Sequence, residues 1–142
     1  MLINTAVMGQ MDVQETHVFH LPDGLYGFEG VSDYALITRQ EDDLNLMWFQ
    51  AVESAAPCFV VFNPFEIIHD YTPKVDESDL KRLDATSVGE LDFLVIAVVP
   101  EDVSQISVNL KSPIVLNQKS RTARQVILQG DYPIKYYLFS EE

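Results

Sequence analysis

The side chains able to do chemistry are few in this chain, and their spacing does not suit it. His17 and His20 are three residues apart in a stretch, Thr16 to Leu21, that alternates as a half-buried strand would, so their rings point to opposite faces. No H-E-x-x-H helix and no cysteine pair accompanies them, so no metal site is expected. His69 beside Asp70 has the composition of an acid-base pair. Adjacent residues rarely face one another, however, and there is no G-x-S-x-G serine to activate. With 22 acidic residues in 142, neighbouring carboxylates follow from composition alone and do not argue for a glycosidase-like pair. The glycines of LPDGLYGFEG, Leu21 to Gly30, fall at G-x-x-G-x-x-G rather than at the phosphate-binding G-x-G-x-x-G, and they read as tight loop geometry. Cys58 is the only cysteine, and the Phe59, Val60 and Val61 that follow suggest a buried strand position. No catalytic residue, cofactor, metal or small-molecule substrate is expected; the chain reads as a binding protein.

Charge narrows the choice of partner. A formal net charge of -13 repels phosphate backbones and favours a basic protein. Four of the nine basic residues, Lys111, Lys119, Arg121 and Arg124, nevertheless fall within Asn109 to Leu128. The alternative function is therefore a small β-barrel that binds nucleic acid through a basic hairpin at 111–124. The other reading of that hairpin is a solvated turn whose cations offset nearby carboxylates. Phe65, Ile67 and Tyr71 lie in an apolar-rich segment without clear periodicity, bordered by Glu66, Asp70, Asp76 and Glu77. Such a segment either covers the core or forms a protein-binding patch with an acidic rim. These seven residues are the candidate protein-binding site.

The elements that would position them are mostly strands. Strands are expected over Leu2 to Val13 with a bend at Gly9, Thr16 to Leu21, Tyr34 to Thr38, Leu46 to Val52 and Cys58 to Phe62. Others are expected over Leu91 to Val99, Ser104 to Leu110, Pro113 to Leu116, Gln125 to Leu128 and Ile134 to Phe139. An acidic turn at Glu41, Asp42 and Asp43 separates two of them, and a loop from Asn117 to Arg124 joins the basic hairpin. Met47, Trp48 and Phe49 in succession predict apolar surroundings on both faces of one strand. One helix of about two turns should begin at Asp76, with Lys81 and Arg82 in its last turn. Turn signals every eight to twelve residues argue for an all-β, mainly antiparallel, barrel-like single domain, 1–142, with one or two short helices. The N-terminus has no basic start and long apolar run, and no stretch approaches the ~20 apolar residues of a membrane span. A cytoplasmic protein is expected.

Several stretches together resemble the FliW family of bacterial flagellar assembly factors. They are MLINT with nearby Gly9, LPDGLYGFE, WFQAVE, FVVFNPF, LVIAVVPED, NLKSPIVLNQKSRTARQVIL and YPI, in that order from Met1 to Ile134. The resemblance implies a β-barrel-like protein without enzymatic activity. It also implies two protein partners, the RNA-binding translational repressor CsrA and flagellin, with CsrA antagonised allosterically and flagellin competing for the same antagonist. Synthesis of flagellin would thereby be coupled to its export.

Overall fold

The computed structural model describes residues 1–41 and 44–139. The expected turn residues Asp42 and Asp43, and the end of the chain from Ser140 to Glu142, lie outside them. The strands are β1 (Leu2–Thr5), β2 (Gly9–Asp12), β3 (Val18–His20), β4 (Asp33–Glu41), β5 (Leu44–Ala51) and β6 (Cys58–Phe62). After two short helices, α1 (Pro64–Ile67) and α2 (Glu77–Arg82), come β7 (Asp92–Val98), β8 (Ser107–Val108), β9 (Ile114–Asn117), β10 (Thr122–Gln125) and β11 (Tyr136–Tyr137).

Seven strands close a ring in the order β3, β4, β5, β6, β7, β9, β10 and back to β3. Its pairings are antiparallel except at β10 and β3, which run parallel and meet at one residue pair, Thr122 opposite His20. The mainly β barrel expected from turn spacing is therefore the fold.

Side chains alternate across a strand, so a closed sheet has a lumen and an outer wall. Phe19, Tyr34, Phe49, Val61, Leu94, Ile114 and Leu116 fill the lumen. On the outside, the hairpin β1–β2 lays Ile3 and Val13 against Ala35, Ile37 and Trp48. A second cover packs Tyr71, Leu83, Leu110 and Leu128 against Phe93, Val95 and Val115 of β7 and β9. The run Met47-Trp48-Phe49 follows directly: Met47 and Phe49 face the lumen while Trp48 lies under the hairpin.

Hydrogen bonding by polar side chains moves several boundaries from their expected places. Leu2 to Val13 is not one bent strand but a hairpin. Thr5 Oγ1 accepts from the Met8 N–H at 2.9 Å and donates to the Gly9 carbonyl at 2.6 Å, which closes its turn. Thr16 and His17 form a single 3-10 turn ahead of β3. In Ser104 to Leu110 only Ser107 and Val108 are strand, because Asp102 caps a 3-10 turn at Val103–Gln105 and accepts from the Ser104 N–H at 3.1 Å. The second arm of the basic hairpin is Thr122–Gln125 rather than Gln125 to Leu128. The hairpin turn occupies Gln118 to Arg121, with Arg121 at φ +55°. Beyond it, Val126 and Leu128 still donate to the Pro113 and Lys111 carbonyls without regular strand geometry. Ile134 to Phe139 shortens to Tyr136–Tyr137.

The loop from Leu21 to Gly30 plugs one end of the barrel with Leu21 and Leu25, both fully buried. Gly24 makes this possible, because it sits at φ +66° with a neighbouring backbone so close that a Cβ would lie 2.7 Å from Glu29 Cα. Nearby, Gln50 is wholly buried on β5. Its Oε1 accepts from the Ala6 N–H at 2.9 Å, while Nε2 donates to the carbonyls of Ala51, Ser54 and Ala55 at 3.1, 3.2 and 3.0 Å. One amide thus ties the turn of the N-terminal hairpin to the loop after β5.

Candidate functional site

Among the described residues, the other end of the barrel carries a groove. Leu36, Met47, Leu94 and Leu116, four lumen residues, form the floor of a groove of about 380 Å³. Thr38, Asp92 and Gln118 stand around it, and Phe65 and Glu66 of α1 reach over it. The local sequence explains why α1 starts there. Asn63 is its N-cap and accepts from the Phe65 N–H at 3.0 Å, and Pro64 occupies the first helical position, where a missing N–H costs nothing. After one turn Ile68 returns to an extended conformation.

Phe65 is held at this lip by other rings. It meets Phe93 edge-on at 5.8 Å and Tyr71 at 5.7 Å, yet remains 39% exposed. Ring pairs in such offset and edge arrangements add to the stabilisation from burial, so the lip is stiff.

The seven candidate residues do not form one patch. Tyr71 is a correction: only 4% exposed, it donates from its hydroxyl to the Leu110 carbonyl at 2.7 Å and packs edge-on against Tyr132 at 5.2 Å. Burial, and then the neighbouring Tyr132, push its phenol well above the usual value. Its ring packs against Phe65. Ile67 is half-buried in the same outer core. Glu66, Asp70, Asp76 and Glu77 are exposed, but Asp76 lies along a different, polar cleft with Asp79, Asp131 and Tyr132. Helix α2 begins where expected, although Asp76 caps it without a side-chain hydrogen bond. Thr38, Asp92 and Gln118 were not legible as site residues, because only barrel closure brings them beside α1.

Three of the basic residues of 111–124 bond to other segments of the chain. Arg124 donates from Nε to Asp79 Oδ1 at 2.6 Å and from Nη1 to Asp23. Burial opposes its charge, but the two carboxylates outweigh that and hold the guanidinium above its ordinary value. Arg121 donates to the Glu15 carbonyl at 2.7 Å, and Lys111 to the Gly130 carbonyl at 2.6 Å. Three of the four cations therefore fasten one segment of this chain to another, and of these three Arg124 alone is paired with carboxylates among the described residues.

Among the described residues no group of three His, Cys, Asp or Glu side chains is placed to hold a metal. Cys58 is half-buried on β6, and burial raises its thiol pKa, which disfavours the reactive thiolate.

A family profile described as FliW protein matches residues 2–138. This chain belongs to the FliW family. Among its FliW relatives, the flagellar assembly factor of Ruminiclostridium cellulolyticum is 34% identical over 99% of this chain and 96% of its own length. That of Caldicellulosiruptor saccharolyticus is 34% identical over 97% and 90%. A crystal structure of the flagellar assembly factor FliW superposes with a TM-score of 0.89 at 27% identity, covering 100% of this chain and 99% of the other. FliW membership makes the chain a flagellar assembly factor, in a family without enzymatic activity. No helix among the described residues is long and apolar enough to cross a membrane.

Proposed function

We propose that this FliW-family protein works in the cytoplasm by binding two proteins in alternation. One is CsrA, the translational repressor, whose RNA binding it antagonises allosterically; the other is flagellin, which it chaperones. Flagellin leaving the cell frees the antagonist, which then captures CsrA and lifts repression, so that synthesis follows export.

The observation that carries this reading is the charge arrangement. The chain carries a formal net charge of -13, Arg124 of the basic region is paired with Asp23 and Asp79, and Glu66, Asp70, Asp76 and Glu77 are exposed. An RNA-binding protein is generally basic, so this surface attracts it and repels the RNA it carries. Coulombic attraction raises the association rate and orients the encounter, and Phe65 supplies an apolar contact at the barrel mouth.

Calorimetric titration with purified CsrA, repeated with flagellin present and at two salt concentrations, tests it. Saturable CsrA binding that flagellin abolishes and salt weakens is the expected result. Absence of binding to both partners overturns the proposal. Charge reversal at Glu66 and Asp70 that leaves affinity and its salt dependence unchanged removes the acidic surface from it.

A further inference from the structure

We propose that the open mouth of the barrel receives one large apolar side chain from a partner protein, on a segment with lysine or arginine beside that side chain. The inference rests on the protein-binding reading above and specifies the chemistry of what one surface takes.

The barrel closes its two ends differently. Leu21 and Leu25 plug one end, whereas at the other Leu36, Met47, Leu94 and Leu116 line open space. Leu94 and Leu116 are buried while Leu36 and Met47 are half-buried, and covering the apolar area that the latter two leave exposed is a source of binding free energy. The volume, about 380 Å³, lies near the lower limit for ligand pockets, which suits a single large side chain and the backbone that carries it. The stiff aromatic lip at Phe65 means little ordering is needed on binding.

Charge selects the occupant. Glu66 and Asp92 both line the groove and are exposed, and among the described residues no lysine or arginine lines it. The side-chain amide of Gln118 donates to Asp92 Oδ2 at 3.1 Å, which leaves the carboxylate its charge. A flanking cation is therefore matched, and a flanking carboxylate is repelled on both sides.

Two synthetic pentapeptides provide the test, acetyl-Gly-Lys-Phe-Lys-Gly-amide and its counterpart with glutamate in place of lysine. Each is titrated to millimolar concentration into the full chain with labelled Met and Leu methyl groups. The expected result is a saturable shift of the Met47, Leu36, Leu94 and Leu116 methyls, with at least ten-fold weaker binding of the acidic peptide. Thr38→Trp and Gln118→Trp, both at exposed positions on the groove wall, should each abolish those shifts while leaving the rest of the spectrum folded. Glu66→Lys should reduce the ten-fold preference to three-fold or less. Absence of shifts at the mouth, equal response to both peptides, or binding that survives both tryptophan variants overturns the inference.

The two proposals fail separately. If CsrA or flagellin binds wild type and both tryptophan variants alike, the mouth is not the seat, while the family function stands. If the lysine peptide occupies the mouth but neither protein binds, the family function falls and the mouth remains a peptide site.

Discussion

Gln50→Glu replaces one nitrogen with oxygen at a fully buried site and should cost more than its size suggests. The Ala6 N–H keeps an acceptor, but the carbonyls of Ala51, Ser54 and Ala55, 3.0 to 3.2 Å from the replaced nitrogen, now face oxygen. The amide shares two N–H protons among the three carbonyls whereas a protonated carboxyl brings one, and with the repulsion of its second oxygen by the carbonyls left over the penalty is about 2 kcal/mol. That part of the penalty does not depend on pH. At neutral pH the unfolded chain ionises the new carboxyl while the native state resists, since burial lifts a carboxyl pKa by up to ~3–5 units. Each unit between the unfolded value of about 4.3 and pH 7 costs about 1.4 kcal/mol, hence roughly 3.7 kcal/mol in addition. The total, about 5–6 kcal/mol at pH 7 and about 2 at pH 4, is comparable to the whole stability of a small domain. The sign follows from the raised native pKa: the penalty is smallest below about pH 4.3 and grows as pH rises toward the native value. Urea unfolding of wild type and variant at pH 4, 5, 6 and 7, with Gln50→Ala as the pH-independent control, measures both parts. A difference between wild type and Gln50→Glu that is constant across this range, or smaller than about 1 kcal/mol throughout, would refute the enclosure of this amide by carbonyls.

Three further outcomes are expected. Tyr34 stacks on Phe49 at 4.8 Å with its hydroxyl buried and without a hydrogen-bond partner among the described residues, and burial raises its pKa to about 12. Tyr34→Phe should therefore keep the stack and raise stability by about 1 kcal/mol in a thermal melt; a lower melting temperature would mean that the hydroxyl is satisfied. Arg124→Met strips the partner from Asp79, whose side chain is 18% exposed, and should cost about 1–3 kcal/mol. Adding Asp79→Asn should restore part of that loss, and full additivity in the double-mutant cycle would argue against the ion pair. Hydrogen bonds from the Thr86 side chain, the Thr86 and Ser87 backbones and the Ser87 side chain lower the Glu90 pKa from 4.5 to about 2. The contribution of this turn to stability is thus complete above about 4.5 and is lost as pH falls toward 2; an NMR titration with a Glu90 midpoint above about 4 would contradict it.

The sequence shows most of the strands but little of how they meet. Cys58 to Phe62 and the helix after Asp76 lie where periodicity and capping residues put them, because both depend on neighbours in the chain. The triplet Met47-Trp48-Phe49 even reveals that its strand has two apolar sides. The boundaries that moved, at Thr5, Asp102 and the hairpin turn after Asn117, depend on short polar side chains that bond to nearby backbone, a competition that hydrophobic pattern does not register. Phe65 and Glu66 emerged as candidates from composition alone. Tyr71 emerged with them although it belongs to the interior, since an aperiodic aromatic run does not distinguish a lip from its support. Gln50 gave no signal, because a glutamine in a strand is ordinary until its neighbour Ala51 and three residues from two loops surround it.

One parallel residue pair completes the ring, Thr122 opposite His20, backed by the His20 N–H donating to the Arg121 carbonyl at 2.8 Å. Its two sides lie about a hundred residues apart in the chain, so the entropy of bringing them together makes this seam a late event in folding. The bridge joins the edges of β3 and β10 at one backbone position, so an otherwise antiparallel sheet is closed into a ring by its shortest pairing. Arg121, which donates to the Glu15 carbonyl, adds a second tie between the hairpin turn and the segment ahead of β3.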